Sequence, residues 1–318
     1  MVQLSVAIRD LFLNIFVVIA NNFCLLLSVW NIAKSLVTSA VGKKNKIIPK
    51  VVAITGANSG IGEGLAHAYA KDKVSLVLIA RNMERLEKVA EACKELGSPS
   101  IKIVQMDVSN TQAVTEFLEE KTNEYKIDLF IANAGIALVP GLDLLDQAEK
   151  VLQINVMGAI AGINAVYKSM KARGQGGQIA VVSSICGFFG PPYIFSYSAS
   201  KAAVMTYCKD LRALGKDDGI AINTIAPGYV DTAMTTTFSK TSKYFYLSVE
   251  KHAELVKKAL EEDIGLISYP SHQYLSFAVF ATIPPAAKEA LAHAAHYFVD
   301  PILRKLDVDY YHDEKKAK

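Results

Sequence analysis

Residues Lys50 to Gly62 read KVVAITGANSGIG, and the architecture of the 318-residue chain follows from them. The β-branched run Lys50–Thr55 has the character of a strand. It enters a glycine-rich turn and then a helical pattern that continues to about Lys71. Gly56, Gly60 and Gly62 let the turn tighten, let the backbone approach a pyrophosphate, and let helix and strand pack closely. Free N–H groups at a helix start bind phosphate oxygens. Glycine-rich runs are common, but one that follows a strand and opens a helix has the context that dinucleotide binding requires.

Outward from this turn, strands and helices alternate. Val74–Ala80 reads as the second strand. Where an NAD-preferring chain places an acid at the end of this strand to hold the ribose 2′-hydroxyl, this one has Ala80 followed by Arg81. A guanidinium there suits a 2′-phosphate, so NADP(H) is the expected cofactor. A helix over about Met83 to Leu96 and a strand at Ile101–Gln105 lead to Asp107. A helix over about Thr111 to Glu124 precedes the strand Ile127–Ala132, which runs into Asn133, Ala134 and Gly135. Two small residues after an asparagine let a cofactor lie against the backbone while the amide satisfies the turn. Taken alone, Asp107 and Asn133 are ordinary polar residues at strand ends. A long helix from about Leu145 to Arg173 carries Asn155, an unfavourable residue inside a helix, which is either exposed or placed to bond a carbonyl or a water.

The stretch VVSSICGFFGPPYIFSYSASKAA, Val181 to Ala203, carries the chemistry. An apolar strand ends on two serines, a Gly/Pro-rich loop follows, and Tyr197 opens a helix. Residues i and i+4 share a helix face, so Tyr197 and Lys201 project side by side. A phenol has a pKa of about 10; a neighbouring ammonium stabilises the phenolate, lowers that value and makes Tyr197 a usable acid/base. Ser184, at the strand end, can fold back to meet the phenol and bond a substrate oxygen. The helix continues to about Leu214. Ile220–Ile225 is a sixth strand, and APGYVDT, Ala226 to Thr232, follows it.

Over about Lys50 to Thr232 the chain resembles the short-chain dehydrogenase/reductase family. TGANSGIG, NAG, INVMG, a serine thirteen residues before the tyrosine, YSASK and PGYVDT stand in the family's order and spacing. The resemblance implies an α/β fold, a Rossmann-type doubly wound parallel sheet. It implies that Tyr197 is the general acid/base, that Lys201 binds the nicotinamide ribose, that Ser184 polarises the carbonyl and that Asn155 holds a water in a proton relay. The cofactor-binding set it implies includes Gly56, Asn58, Ser59, Gly60, Ile61, Gly62, Arg81, Asp107, Asn133, Ala134, Gly135, Tyr197, Lys201, Pro227 and Val230, with Thr232 touching the carboxamide. Membrane-anchored relatives of this layout reduce lipid or steroid ketones.

Composition bounds the alternatives. A net charge of +3 without an interleaved basic and aromatic stripe excludes a nucleic-acid binder. Cys24, Cys93, Cys186 and Cys208 form no CxxC pair, which points to a reducing compartment and no metal site. Residues 11 to 33, between Asp10 and Lys34, carry no charge and have the length of a bilayer-crossing helix. Lys34, Lys43, Lys44, Lys46 and Lys50 follow whereas only Arg9 precedes, which places the bulk of the chain in the cytosol. Asn14, Asn21, Ser28 and Ser35 make a polar stripe, so the segment either spans the membrane or lies flat in its interface.

Residues 1–46 therefore read as membrane anchor and basic linker, 47–270 as the catalytic domain, and 271–318 as an apolar helical extension with a basic tail. The segment from Ala233 to Tyr246 falls where the family keeps a loop over the substrate. The extension either roofs the substrate pocket, docks on the membrane or packs a homodimer. Lys315, Lys316, Ala317 and Lys318 match the dilysine pattern that returns membrane proteins to the endoplasmic reticulum. The leading function is NADP(H)-dependent reduction of a lipid-like ketone at that membrane. The alternatives are oxidation of a retinoid or steroid alcohol and a non-catalytic binding protein on the same fold.

Overall fold

The computed structural model describes residues 46–139, 141–190, 194–238 and 246–282. The chain divides into Met1–Lys46 and Ile47–Lys318, and every element named below belongs to the second unit. The proposed membrane anchor and the basic C-terminal tail lie outside the described residues. Among the described residues no helix is long and apolar enough to cross a membrane.

Seven strands form one parallel sheet: β1 Val51–Thr55, β2 Ser75–Ala80, β3 Ile101–Gln105, β4 Leu129–Ala132, β5 Gly177–Val182, β6 Ile220–Ile225 and the short edge strand β7 Leu266–Ile267. Their order is β3-β2-β1-β4-β5-β6-β7. The direction of winding reverses between β1 and β4, and ligands of such sheets bind in the crevice outside the carboxyl ends of the strands at that point. Helices α1 Gly60–Lys71, α2 Met83–Glu95, α3 Thr111–Glu124, α4 Leu144–Leu152, α5 Ala159–Arg173, α6 Phe195–Asp217, α7 Ala233–Phe238, α8 Val249–Glu261 and α9 Ser271–Thr282 connect and flank the strands.

Because both faces of the sheet are covered, the strands are apolar on both sides. Val52, Ile54, Leu76, Leu78 and Ile131 face α1, α2 and α8, where Leu65, Leu86, Val256 and Leu260 meet them. Ala53, Val77, Ile79, Phe130 and Ile179 face the other way, against Leu118, Ile163, Val166 and Met170. Polar residues set where the helices start: Asn82, Asn110, Asp143 and Ser248 each accept a first-turn N–H, satisfying donors that have no partner inside the helix.

Two differences from the expected elements bear on the site. β5 begins at Gly177, because its first residues pair with β4 and β6 through Gln178, whose buried side chain donates to Asn223 and to the Leu260 carbonyl. The long helix is also not continuous. Between α4 and α5 it widens into a π-helical turn, Gln153–Gly158, which contains Asn155.

Candidate active site

The glycine turn and the end of β4 are locked together. Thr55 Oγ1 accepts from the backbone N–H groups of Asn133 and Ala134 at 3.0 and 3.1 Å. The Asn133 amide returns two bonds, to the carbonyls of Thr55 at 2.9 Å and Gly56 at 3.1 Å. Gly56 and Gly60 have φ of +66° and +57°, which glycine adopts without strain. A Cβ on Gly62 would stand 2.4 Å from the Gly56 carbonyl oxygen and 2.5 Å from Asn133 Nδ2. Ser59 holds the N-cap position of α1 with an extended backbone, and its side chain makes no capping bond. Half-buried Asn58 precedes it, and Ile61 packs inward on the apolar core. This cradle suits a dinucleotide: side chains are excluded where a pyrophosphate must approach, and the first-turn N–H groups of α1 are not taken by a cap.

At the end of β2, Arg81 is exposed, and its Nη1 lies 3.6 Å from Asp107 Oδ2. Burial works to raise the Asp107 carboxyl, but hydrogen bonds from Ser109 and the Arg81 charge outweigh it and hold the carboxyl below its usual range. At the other end, the segment after β6 closes the crevice. Pro227 accepts from the Ile185 N–H at 3.0 Å, Val230 is buried and bridges to Leu247, and the Thr232 methyl carbon lies 3.2 Å from where a Gly60 Cβ would be.

The candidate catalytic side chains come from the end of β5 and the start of α6. Ser184 caps the 3₁₀ turn Ile185–Gly187 by accepting from the Cys186 N–H at 3.2 Å. The preceding Ser183 is spent on structure, donating to the Lys201 carbonyl at 2.8 Å. Burial pushes the Tyr197 phenol well above the ordinary value, the nearby Cys186 thiol adds to the rise, and a hydrogen bond with Ser184 opposes it. Lys201 is buried, with its Nζ 5.6 Å from the centre of the Tyr197 ring and 2.8 Å from the Val182 carbonyl it donates to. Burial also pushes the Lys201 ammonium down, to about 8. Desolvation is the largest influence on both groups and acts against the lowering expected of the phenol.

Asn155 resolves the choice left open by its position. Its Oδ1 accepts from the Ile136 N–H, and its Nδ2 donates to the Ile136 carbonyl, both at 2.8 Å, and to Ser200 Oγ at 3.0 Å. Gly135 fits between these groups: a Cβ there would stand 3.1 Å from Asn155 Oδ1 and 3.3 Å from Lys201 Nζ. Two helical turns earlier, Gln147 holds the same loop, accepting from Val139 N–H at 3.0 Å and donating to the Ala137 carbonyl at 3.3 Å.

The structure thus brings Ser184, Tyr197 and Lys201 together, with Asn155 and Gly135 beside Lys201. Arg81 and Asp107 stand apart at the far end of the cofactor crevice. Sequence reasoning missed Thr55 and Ser200. Thr55 is the last residue of β1, and Ser200 lies within YSASK one turn after Tyr197, so both were within the quoted motifs. Cys186 was noted only as a free thiol.

The short chain dehydrogenase family model matches residues 50–243, and the chain belongs to that family. It is 35% identical over 191 residues to 11-beta-hydroxysteroid dehydrogenase A of Sesamum indicum, a match covering 58% of this chain and 54% of that protein. The chain thus spans about half the length of that curated relative. It is 32% identical over 264 residues to 11-beta-hydroxysteroid dehydrogenase-like 3 of Arabidopsis thaliana, covering 80% of this chain and 84% of the relative. Among solved structures, an alcohol dehydrogenase from the archaeon Thermococcus sibiricus complexed with 5-hydroxy-NADP superposes with a TM-score of 0.60 at 28% identity, covering 69% of this chain and 94% of that one. Its curated relatives carry steroid dehydrogenase names.

Proposed function

We propose that this protein interconverts a ketone and a secondary alcohol on a lipid-like molecule, a 3-keto lipid or a steroid, with NADP(H). The observation that carries the reading is the placement of Lys201, buried with its Nζ 5.6 Å from the centre of the Tyr197 ring, beside Ser184 at the end of β5. Gly56, Gly60, Gly62 and the start of α1 would hold the pyrophosphate, and Arg81 would meet a 2′-phosphate. The bound dinucleotide supplies or accepts the hydride. Ser184 donates a hydrogen bond to the substrate oxygen and so stabilises charge growing there. Tyr197, kept protonated by burial, gives its proton to that oxygen, and the Lys201 ammonium stabilises the phenolate that remains. In the oxidative direction the same phenol, as phenolate, takes the proton back.

Support for a lipid-like substrate comes from the steroid dehydrogenase names of the relatives and from the aromatic walls near Ser184. Phe188 meets Tyr274 edge-on at 5.3 Å, and Tyr229 meets Tyr246 at 5.5 Å. The NADP(H) preference is supported by Arg81 and by the 5-hydroxy-NADP of the archaeal neighbour. Residues 1–46 would anchor the catalytic region 47–270 to the endoplasmic reticulum membrane, a reading supported by the charge-free run 11 to 33.

Tyr197→Phe tests the chemistry. It should abolish NADPH-dependent reduction of a steroid ketone while leaving NADPH affinity within about threefold, since Lys201 and the cradle are untouched. More than a few per cent residual turnover would remove Tyr197 from the acid/base role. Carbonate extraction of membranes tests the anchor: a spanning segment resists it, an interfacial one is stripped, and protein soluble without detergent contradicts both.

A further inference from the structure

We propose that the Tyr246 hydroxyl, with Tyr229 and Cys186 beside it, forms a second polar subsite that binds an oxygen of the substrate other than the one that reacts; this rests on the ketone–alcohol chemistry proposed for Ser184 and Tyr197. The ligand class is an apolar ketone or secondary alcohol with a second hydroxyl or carbonyl group. Three short chain segments place this subsite beside the reacting pair. Ser184 Oγ accepts from the Cys186 N–H, and the intervening Ile185 N–H donates to the Pro227 carbonyl. Two residues further, the Tyr229 carbonyl accepts from the Leu247 N–H at 3.0 Å, and the Leu247 carbonyl accepts from Asp231 at 2.9 Å. That ladder sets Tyr246 edge-on against Tyr229, with ring centres 5.5 Å apart.

The Tyr246 oxygen is buried and makes no hydrogen bond. Buried polar atoms are nearly always bonded, and a phenylalanine would fill the same ring space without leaving an O–H unpaired. A ligand oxygen accounts for the hydroxyl. The neighbouring heads are less enclosed: Tyr229 is 41% exposed and Cys186 is half-buried. Burial pushes the Tyr229 phenol and the Cys186 thiol up, so both remain neutral at physiological pH, where they offer weak donors and acceptors and no charge. Such a surface selects an uncharged oxygen within an otherwise apolar molecule.

The test compares two ketones that differ by one oxygen, 5α-androstan-3-one and 5α-androstane-3,17-dione, with the full-length protein and NADPH. The native enzyme should show a KM about tenfold lower for the dione, the effect of one buried hydrogen bond between neutral groups. Tyr246→Phe should erase that difference by raising the KM of the dione to that of the monoketone. Equal KM values for the two ketones with the native enzyme overturn the subsite, and so does a Tyr246→Phe variant that raises both KM values alike. NADPH titration of the variant verifies its fold; if it fails to bind NADPH, the native comparison of the two ketones decides the matter alone. Failure of the native enzyme to reduce either ketone overturns the proposed function itself, a result distinct from reduction without discrimination.

Discussion

Asn155 Nδ2 lies 3.0 Å from Ser200 Oγ, which donates in turn to the Tyr197 carbonyl at 2.7 Å, so the π-helical turn and the helix of the reacting phenol are joined through one hydroxyl. Asn155 also satisfies both backbone groups of Ile136. Asn155→Ala removes three bonds and leaves buried polar groups without partners, at about 1–3 kcal/mol for each such group. The expected outcome is a loss of about 2–4 kcal/mol in urea unfolding together with a fall in kcat of more than tenfold. A variant with native stability would show that these bonds are replaceable.

Gly62→Ala tests the cradle. The added Cβ would press on the Gly56 carbonyl and on Asn133, both fixed by further hydrogen bonds, so backbone must shift. NADPH affinity measured by fluorescence titration should fall at least about tenfold, or about 1.4 kcal/mol. Gly141→Ala, where a Cβ meets nothing within 4 Å, serves as the comparison and should leave that affinity unchanged, although its φ of +79° will lower the melting temperature slightly.

Arg81→Asp should move cofactor preference from NADPH toward NADH. A charge-assisted bond to a 2′-phosphate contributes about 1.5–3 kcal/mol, so the ratio of kcat/KM for the two cofactors should fall ten- to a hundredfold. The variant also sets a second carboxylate beside Asp107, whose present partner is the Arg81 guanidinium. An unchanged ratio would exclude Arg81 from phosphate recognition.

Lys201 predicts a pH dependence for cofactor binding. Burial lowers the ammonium to about 8, from an ordinary value of about 10.4. Below pH 8 the group is charged and able to bind hydroxyl oxygens of a ribose; above it the folded protein loses that charge. NADPH affinity should therefore decrease as pH rises through about 8, with proton uptake on binding in that range. Lys201→Arg keeps its charge throughout, so it should flatten the profile even where its affinity is lower. A native profile flat from pH 7 to 9.5 would contradict this.

Legibility in the sequence followed the range of the forces involved. The strands and helices were readable because burial on both sheet faces demands apolar runs, and helix starts demand capping residues such as Asn82 and Asn110. The motif residues Gly62, Asn133, Ser184, Tyr197 and Lys201 were readable because their spacing reflects local turns. The balance at Tyr197 was not, since desolvation depends on everything packed around the phenol rather than on its i+4 neighbour. Nor was the role of Tyr246, which reaches Tyr229 only through a ladder formed after the chain has folded.

The π turn has a consequence for chain length. Seven residues of α-helix complete two turns to within about 20°. Gln147 and Asn155 are eight apart, yet they grip adjacent positions of one loop, Ala137 to Val139 and Ile136. The extra residue absorbed by the π turn makes eight positions span what seven span elsewhere, so the two amides fall in phase. Were the stretch from Gln147 to Asn155 regular α-helix throughout, its eight positions would overshoot two turns and rotate one amide by roughly 80° relative to the other. The loop bearing Gly135 would then be held at one point instead of two. In this helix the π turn sets the phase in which the two amides meet the loop.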